Sequence, residues 1–297
     1  MENVVKQKPV LTDKQKRDKK DKILGILSAI GANLFLAFLA FLVLFPLLFM
    51  VFSSLRGWEN YLSNVTMFID GKFTFENYKL IANYVDLVKG YGNTMFIEIC
   101  VIPCGTFFAA FAAFSFSKLR LRHKRFWLLF LLSGMMIPGA VLLMPRYVAY
   151  DILGWIGTPL PLIVPHLFIH VSMMFFFIQY MMGIPSELFE AAKIDGCSTF
   201  RMFLQIMLPL LLPAIAAQCI FWFMGIWNDF FGPSIYLSNE NATLQVLMYK
   251  LNSQASGSGF YTVTFAGAVL SCLPMIAIYL VLQKFFIKSM SFGAVKG

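Results

Sequence analysis

Long apolar stretches separated by short polar ones dominate the pattern of this chain. Six stretches are mostly apolar over about 20 residues or more, at roughly 23–52, 93–117, 126–150, 159–182, 209–231 and 262–287. A helix needs about 20 apolar residues to cross the hydrocarbon core of a bilayer, because each residue adds about 1.5 Å. The pattern therefore predicts an all-α, polytopic membrane protein with six transmembrane helices.

The polar stretches divide the chain into segments. We expect a basic N-terminal segment (1–22), a first transmembrane helix (23–52), an outer loop (53–92), a core with five further helices (93–287) and a short tail (288–297). The first apolar stretch is longer than the core of a cleaved signal peptide, which has about 7–15 apolar residues. No small-residue cleavage site follows it, so we expect it to remain as the first helix.

Helix-breaking residues interrupt two of the predicted spans. Gly134, Pro138 and Gly139 lie near the middle of the third span, and Pro161 and Pro165 lie at the start of the fourth. Such breaks are tolerated in membranes where protein or water satisfies the freed backbone groups. We expect bends there, which either line a pathway or are simple packing kinks.

Residues 183–208 form a polar, amphipathic break inside the core. Pro185 is expected to end the preceding span, Ser186 to cap a new helix, Gly196 to end that helix in a left-handed turn, and Ser198 to cap a second helix. This arrangement predicts a helical hairpin that docks on another protein. The alternative is an amphipathic hairpin that lies on the lipid surface.

Composition supports a membrane protein. The chain is 59% hydrophobic and 13% charged, with 33 Phe and a mean hydropathy of +0.73. A soluble domain of this length cannot bury so much apolar surface.

The basic residues predict the orientation. With the N-terminus placed in the cytoplasm, eighteen Lys and Arg lie inside, in residues 1–22, 118–125, 183–208 and 284–296, and six lie outside. Because positive residues are enriched in cytoplasmic loops, both termini and the 183–208 hairpin are predicted to be cytoplasmic. The net charge of +9 is explained by this topology and by contact with anionic lipid, without nucleic acid.

Motifs for catalysis are missing from the sequence. The G-x-x-x-x-G-K-S/T pattern is absent, since Gly71-Lys72 lacks both the earlier glycine and the following hydroxyl. His166 and His170 have the spacing of a helical pair but no acidic residue between them, so we expect packed histidines and no metal site. The chain is therefore expected to carry no catalytic residue and no cofactor of its own.

The hairpin carries a spaced signature. It reads Glu190-Ala191-Ala192, three residues, Gly196, nine residues, then Ile206, one residue, Leu208-Pro209. This spacing resembles the cytoplasmic loop of ABC importer permeases, the membrane subunits that couple an ATPase to solute uptake. The resemblance implies the ABC type I importer permease fold with both termini inside. It also implies that Glu190, Ala191, Ala192, Asp195, Gly196, Ile206 and Pro209 couple the chain to an ATPase.

The flanking sequence is similar to the carbohydrate branch of that family, of the maltose and oligosaccharide type. The similarity rests on Ile184 to Leu188, Ile194-Asp195-Gly196, Trp227 to Phe230 and the last five residues, and it covers about residues 93–297. Cys197 departs mildly from it, since the family more often has alanine there.

The resemblance implies an assembly in a bacterial cell membrane. This chain would pair with a homologous second permease, above two ATPase subunits that bind ATP and Mg²⁺. An extracellular solute-binding protein would deliver a carbohydrate. The hairpin would act as a rigid lever for alternating access, and the outer segment 232–261 would either contact the binding protein or be a flexible connector.

Polar and aromatic residues inside the spans are candidates for the carbohydrate path, because such groups are costly in a bilayer unless they serve a function. The candidates are Glu98, His170, Gln218, Trp222, Trp227, Asn228 and Asp229. Alternatives stay open: Glu98 can pair with Arg146, Asp229 can end its helix at water, and the tryptophans can belong to interfacial belts.

Two other functions remain open from the sequence. One is an ABC permease for a non-carbohydrate solute. The other is a secondary carrier or channel without an ATPase, which would usually show internal repeats and several buried ionisable residues. We find no clear repeat.

Overall fold

The computed structural model describes residues 13–63, 73–168, 170–257 and 260–294. Much of the predicted basic N-terminal segment and the last residues of the tail lie outside these ranges. The described residues form helices and include no β-strand. The helices that lie outside the spans cover Trp58–Ser63, Glu76–Leu80, Ile81–Asn83, Glu187–Ile194, Phe231–Tyr236, Asn239–Asn241 and Leu244–Gly257.

Five single helices are long and apolar enough to cross a membrane. They are the first span (Lys22–Ser54), second span (Leu87–Lys118), fourth span (Leu160–Met182), fifth span (Thr199–Trp227) and sixth span (Tyr261–Lys284). The first and sixth are parts of the longer helices Asp13–Ser54 and Tyr261–Ala294. The second starts earlier than predicted because Asp86 caps it, accepting a hydrogen bond from Lys89 N at 3.0 Å.

The third span is a bent pair of helices, so the predicted number of six spans holds when this pair counts as one. Lys124–Met135 and the segment Gly139–Ile152 meet at 81°. Pro138 lies in the break and Gly139 begins the second segment, as predicted, whereas Gly134 lies within the first helix. The fourth span is also interrupted where predicted: Leu160–Ile163 and Val164–His166 precede its main helix, Val171–Met182.

Close packing of the second and fourth spans forms the centre of the molecule. Ala109, Ala110 and Ala113 are fully buried on the second span, and Met173 and Phe177 are fully buried on the fourth. Small side chains let two helices approach, and in a bilayer this van der Waals contact drives association. The fifth span and the 183–208 hairpin pack against the same core.

Residues 231–257, which we call the outer cap, pack in a second hydrophobic core together with residues of the second, fifth and sixth spans. The alternative of a flexible connector over 232–261 was wrong for this segment. Leu244, Leu251 and Ala255 are fully buried, because apolar residues recur at helical spacing along Leu244–Gly257. The cap packs where the second span has Gly90, whose hydrogen leaves room for Leu244 and Leu247.

A buried amide joins the C-terminal end of the first span to the N-terminal end of the sixth. Asn77, which is 4% exposed, donates from Nδ2 to the carbonyl oxygens of Ser54 and Arg56, both at 2.8 Å. Its Oδ1 accepts a hydrogen bond from Thr262 Oγ1 at 3.0 Å. One side chain therefore satisfies three polar groups at the end of the first helix and the start of the last.

Replacing this amide should loosen the joint. We expect Asn77→Ala to lower the midpoint of thermal unfolding, because each buried polar group left without a partner costs about 1–3 kcal/mol. The matched control is Asn83→Ala, since Asn83 is exposed on the same outer segment. The midpoint is measured by size-exclusion chromatography of heated, detergent-solubilised protein, and equal midpoints for the two variants would contradict the assigned role.

Candidate functional site

The 183–208 hairpin has the predicted form. Helix Glu187–Ile194 ends at Gly196, whose φ of +76° lies in the left-handed region that favours glycine. Ser198 Oγ then accepts a hydrogen bond from Arg201 N at 3.4 Å and starts the next helix. The predicted side-chain cap at Ser186 was wrong: its backbone is helical, and its carbonyl oxygen accepts from Phe189 and Glu190 instead.

The outward face of the hairpin is apolar where a solvated loop would be polar. Leu188 and Ile194 are 46% and 86% exposed. Phe200 is 52% exposed, although its ring also lies 5.9 Å from the Phe111 ring of the second span, between centroids. Glu190, Ala191, Asp195 and Gly196 are exposed as well, and Ala192 is half-buried. Exposed apolar groups with charged neighbours are typical of a surface that binds another protein.

The inward face is held by aromatic rings, which we call the aromatic cluster: Phe107, Phe111, Phe114, Phe189 and Phe203. Phe189 of the hairpin lies 5.9 Å from Phe114 of the second span, between ring centroids. Phe203, at the root of the fifth span, lies 5.1–5.7 Å from the three rings of the second span. Each such pair contributes about 0.5–1.5 kcal/mol beyond burial. The hairpin is thereby fixed to two spans at once.

A lysine completes this attachment. Lys118, at the end of the second span, donates from Nζ to the carbonyl oxygen of Ile184 at 2.6 Å. The same ammonium lies 5.3 Å from the centroid of the Phe189 ring, within cation–π range. In the sequence analysis Lys118 counted only as one of the basic residues that predict the orientation. Its contact with Ile184 could not be predicted, because the two residues are 66 positions apart.

Ile206 and Pro209 lie away from the exposed face, at the root of the fifth span. Residues Phe203–Met207 form a π-helical turn that leads into helix Leu208–Trp227. Pro209 has no N–H to donate to the carbonyl of Gln205, as a regular α-helix would require, which favours this wider turn. The signature thus has one part on the exposed hairpin helix and a second part at the root of the fifth span, where Ile206 is half-buried and Pro209 is exposed.

Several of the predicted solute-path residues meet where the second, fourth and fifth spans converge. The His170 ring lies 4.6 Å from the Trp222 ring, between centroids. Gly105 of the second span lies against the Trp222 ring of the fifth span and the His166 backbone of the fourth. A Cβ at this position would collide with the Trp222 ring and lie 2.6 Å from the carbonyl oxygen of His166. The expected pair of packed histidines on one helix face was wrong, because the helix is interrupted between them.

Beside this junction is a cavity of about 250 Å³ that we call the outer cavity. Trp222 and Ile97 contribute apolar lining, and the polar lining comes from His166, Asp229 and Thr243. Burial raises the pKa of the Asp229 carboxyl, and this effect exceeds the opposing influence of the Gly232 and Phe231 N–H groups and of His166. The predicted alternative, that Asp229 ends its helix at open water, does not fit this half-buried position.

Glu98 is 2% exposed on the second span. Neither carboxylate oxygen has a hydrogen-bond partner among the described residues. The alternative that Glu98 pairs with Arg146 was therefore wrong, and Arg146 is exposed on the third span. A buried carboxyl group without a partner is costly, so Glu98 lowers the stability of the fold.

The remaining candidates have packing or helix-end contacts. Trp227 is 1% exposed, stacks on Phe223 at 5.3 Å and donates from Nε1 to the carbonyl oxygen of Ser271 at 3.0 Å. Asn228 is exposed and donates to the carbonyl oxygen of Met224 at 2.8 Å. Gln218 is half-buried. None of these three lines the outer cavity.

Sequence reasoning missed Thr243 and Gly105 and did not connect His166 with the solute path. Gly105 gave a weak signal, since an isolated glycine in an apolar span often marks a close helix contact. Thr243 gave none, because its place in the cavity depends on how the outer cap folds back.

Comparison with known proteins identifies the family. Residues 103–292 match the family described as "Binding-protein-dependent transport system inner membrane component". The chain is 31% identical over 257 residues to the arabinooligosaccharides transport system permease protein AraQ of Halalkalibacterium halodurans, covering 85% of this chain and 91% of the relative. It is 33% identical over 258 residues to the galactooligosaccharides transport system permease protein GanQ of Bacillus subtilis, covering 85% and 90%.

The fold also matches a solved structure. A chain of a bacterial ABC transporter involved in the import of the acidic polysaccharide alginate superposes with a TM-score of 0.75 at 21% identity, covering 94% of this chain and 100% of that one. The likeness confirms the importer permease fold. The chain therefore belongs to the family of binding-protein-dependent transport system inner membrane components, as a membrane-spanning permease subunit and not an enzyme.

Proposed function

We propose that this permease forms half of the pathway through which an ABC importer takes up an oligosaccharide, and that its 183–208 hairpin docks on an ATPase subunit. The observation that carries the proposal is the two-sided hairpin. Its outward face exposes Leu188 and Ile194, while its inward face is fixed through Phe189. A surface that both binds a partner and is fixed to the spans can transmit movement.

The orientation follows from charge and topology. Both termini and the hairpin lie in the cytoplasm, where lysine and arginine are enriched. The contact between Lys118 and Ile184 supports this, since it joins the hairpin to the basic end of the second span. Two ATPase subunits, which bind ATP and Mg²⁺, then meet the hairpins of this chain and of a homologous second permease from below.

Movement passes from the hairpin to the spans through the aromatic cluster. When the ATPases close, Phe189 pushes on Phe114, and Phe203 carries the fifth span with it. Buried interfaces of this kind move as packed units, so the bundles rock between inward-open and outward-open states. The seven signature residues divide this task between the exposed helix and the root of the fifth span.

The substrate class is supported by the relatives and by the candidate path. AraQ and GanQ are named for arabinooligosaccharides and galactooligosaccharides. In this chain an extracellular binding protein delivers the sugar, and Trp222, His170, Asp229 and Glu98 supply the aromatic and hydrogen-bonding groups that sugars require. Gln218, Trp227 and Asn228 stay as predictions for the same path.

Two variants separate docking from transmission. Ile194→Glu should abolish co-purification of the ATPases, because it places a charge in the centre of the exposed apolar face. Phe189→Ala should keep the ATPases bound but reduce oligosaccharide uptake at least fivefold, because it removes the inward contact with Phe114. Pull-down and uptake assays on the intact complex measure both. Loss of ATPase binding in Phe189→Ala alone would contradict the assignment of the two faces.

Substitutions at Gly196 test the stiffness of the hairpin. Gly196→Val should uncouple ATP hydrolysis from uptake while the chain remains in the membrane, because a β-branched residue is strained at a φ of +76° by about 1–2 kcal/mol. Nothing lies within 4 Å of a Cβ at this site, so crowding is not the cause. Gly196→Asn is the control, since asparagine tolerates this region. Equal coupling in both variants would count against the lever.

The buried carboxyl of Glu98 offers a test of the path. Glu98→Met should raise the midpoint of thermal unfolding, because it removes an unpaired buried polar group, and should lower oligosaccharide uptake about tenfold or more. Glu98→Gln, which keeps shape and hydrogen bonding, should retain more uptake than Glu98→Met. If Glu98→Met is more stable and transports normally, Glu98 does not belong to the path.

A further inference from the structure

Residues 139–166, which we call the outer flap, are held loosely by the rest of the chain. Only two of these 28 residues, Pro161 and Ile163, are buried, against eight of the 25 residues from 231 to 255 in the outer cap. Segments with few buried side chains open at a lower free-energy cost than segments with many. When the two parts separate, the flap is therefore the part that moves.

Both ends of the flap coincide with breaks in a span. At its start the two arms of the third span meet at 81°, beside Pro138. At its end the helix Leu160–Ile163 passes into the short 3₁₀ helix Val164–His166, which contains Pro165. A proline removes a helical hydrogen bond, and hinges are commonly a few residues at the ends of elements. The flap is thus bounded by a candidate hinge on each side.

A small set of contacts joins the flap to the outer cap, and we call it the clasp. Gly157 donates from its backbone N to the carbonyl oxygen of Tyr236 at 2.8 Å, and its own carbonyl oxygen accepts from Asn241 Nδ2 at 2.8 Å. The Tyr150 ring of the flap lies edge-on to the Tyr236 ring, 5.2 Å away between centroids. The clasp thus consists of two hydrogen bonds and one pair of rings.

The outer cap is anchored more firmly to the spans than to the flap. Leu244 of the cap donates from its backbone N to Thr94 Oγ1 of the second span at 2.9 Å, and Asn93 Nδ2 donates to the carbonyl oxygen of Ala242 at 3.0 Å. Leu244 and Leu251 are also fully buried in the core that the cap shares with the second, fifth and sixth spans. Separation at the clasp therefore exposes less apolar surface than separation of the cap from the spans.

One polar group at the clasp gains a partner when the clasp opens. The Tyr236 hydroxyl is buried and has no hydrogen-bond partner among the described residues. A buried hydroxyl without a partner is destabilising, and contact with water removes that cost. Hydration of this hydroxyl therefore offsets part of the loss of the two hydrogen bonds.

The seam between the flap and the outer cap runs along the outer cavity. The flap contributes Leu162 and His166 to the lining, and the chain from the end of the fifth span into the cap contributes Asp229, Pro233 and Thr243. The volume of about 250 Å³ equals the space of about eight water molecules, which is too little for a sugar of two rings. Because the two sides of the lining belong to the two sides of the seam, movement of the flap away from the cap widens the cavity.

We propose that the outer flap is a gate, closed by the clasp, that swings away from the outer cap to admit the oligosaccharide to the outer cavity. This inference rests on the proposed import of oligosaccharides and adds a moving part to it. The aromatic cluster moves whole spans as packed units, whereas the flap moves against its own chain.

A reversible disulfide across the clasp tests the gate in the whole transporter. A Cβ at Gly157 would lie 3.9 Å from Ser238 Cβ, and a disulfide needs a Cβ–Cβ distance of about 3.5–4.5 Å. The double variant Gly157→Cys, Ser238→Cys should therefore lose uptake at least tenfold under a mild oxidant, and dithiothreitol should restore it. Uptake is measured in proteoliposomes with tritiated arabinotriose and galactotriose, tested separately, each delivered by the loaded binding protein at saturation.

The two single variants are the controls, because Gly157 has a φ of +85° and any side chain there is strained. Oxidation should change uptake neither in the single variants nor in the wild type, whose five cysteines are free. If the wild type takes up neither sugar, the proposed function fails for these sugars. If mass spectrometry shows the disulfide and uptake equals that of the reduced form, the gate is overturned while import stands.

A second test reads the clasp without uptake. Leu162→Cys places a thiol in the lining of the cavity, and a membrane-impermeant maleimide should modify it about fivefold faster when Asn241→Ala is added. This is the change expected for loss of one hydrogen bond. The rate is measured at the introduced cysteine by peptide mass spectrometry.

The matched control for the second test is Asn239→Ala. Asn239 lies on the same short helix and is exposed, and its Oδ1 accepts from Lys250 Nζ at 2.6 Å. This variant should leave the rate of modification unchanged. Equal rates with Asn239→Ala and Asn241→Ala would overturn the clasp, whatever the uptake assay shows.

Discussion

The contact between Phe189 and the rings of Phe114 and Phe203 is the interaction on which the rest depends. It is the place where a polar segment outside the membrane becomes mechanically part of the apolar bundle. Each aromatic pair adds about 0.5–1.5 kcal/mol, a modest amount that is multiplied because Phe203 touches three rings of the second span. Without this cluster the hairpin would be attached only through its chain connections and the contact between Lys118 and Ile184, and less of any force applied to it would reach the second span.

Much of the fold was predictable because the bilayer enforces a simple rule. A spanning helix must be about 20 residues long and apolar, so hydropathy located every span, and Pro138 with Gly139 located the bend of the third. The hairpin was predictable for a different reason, since Gly196 has a conformation that few other residues adopt. Local rules were enough for these elements.

The contacts between elements could not be predicted in the same way. Thr243 enters the outer cavity only because Leu244 packs where the second span has Gly90, and Lys118 meets Ile184 across 66 positions of sequence. Such pairings depend on how helices approach one another, which a single sequence does not record. The same holds for Trp227, which is aromatic and near an interface but is occupied by packing against the fifth and sixth spans.

The 81° bend in the third span has a consequence for what surrounds it. Its two arms, Lys124–Met135 and Gly139–Ile152, reach only about 18 and 21 Å at 1.5 Å per residue, so neither alone crosses a hydrocarbon layer of about 30 Å. The corner at Pro138 therefore sits at membrane depth, with peptide groups that lipid tails cannot satisfy. No side chain of either arm is buried within the described residues. The corner must therefore be covered by a neighbouring subunit or hydrated by a water-filled channel. The exposed side of the bend marks where the isolated chain is incomplete.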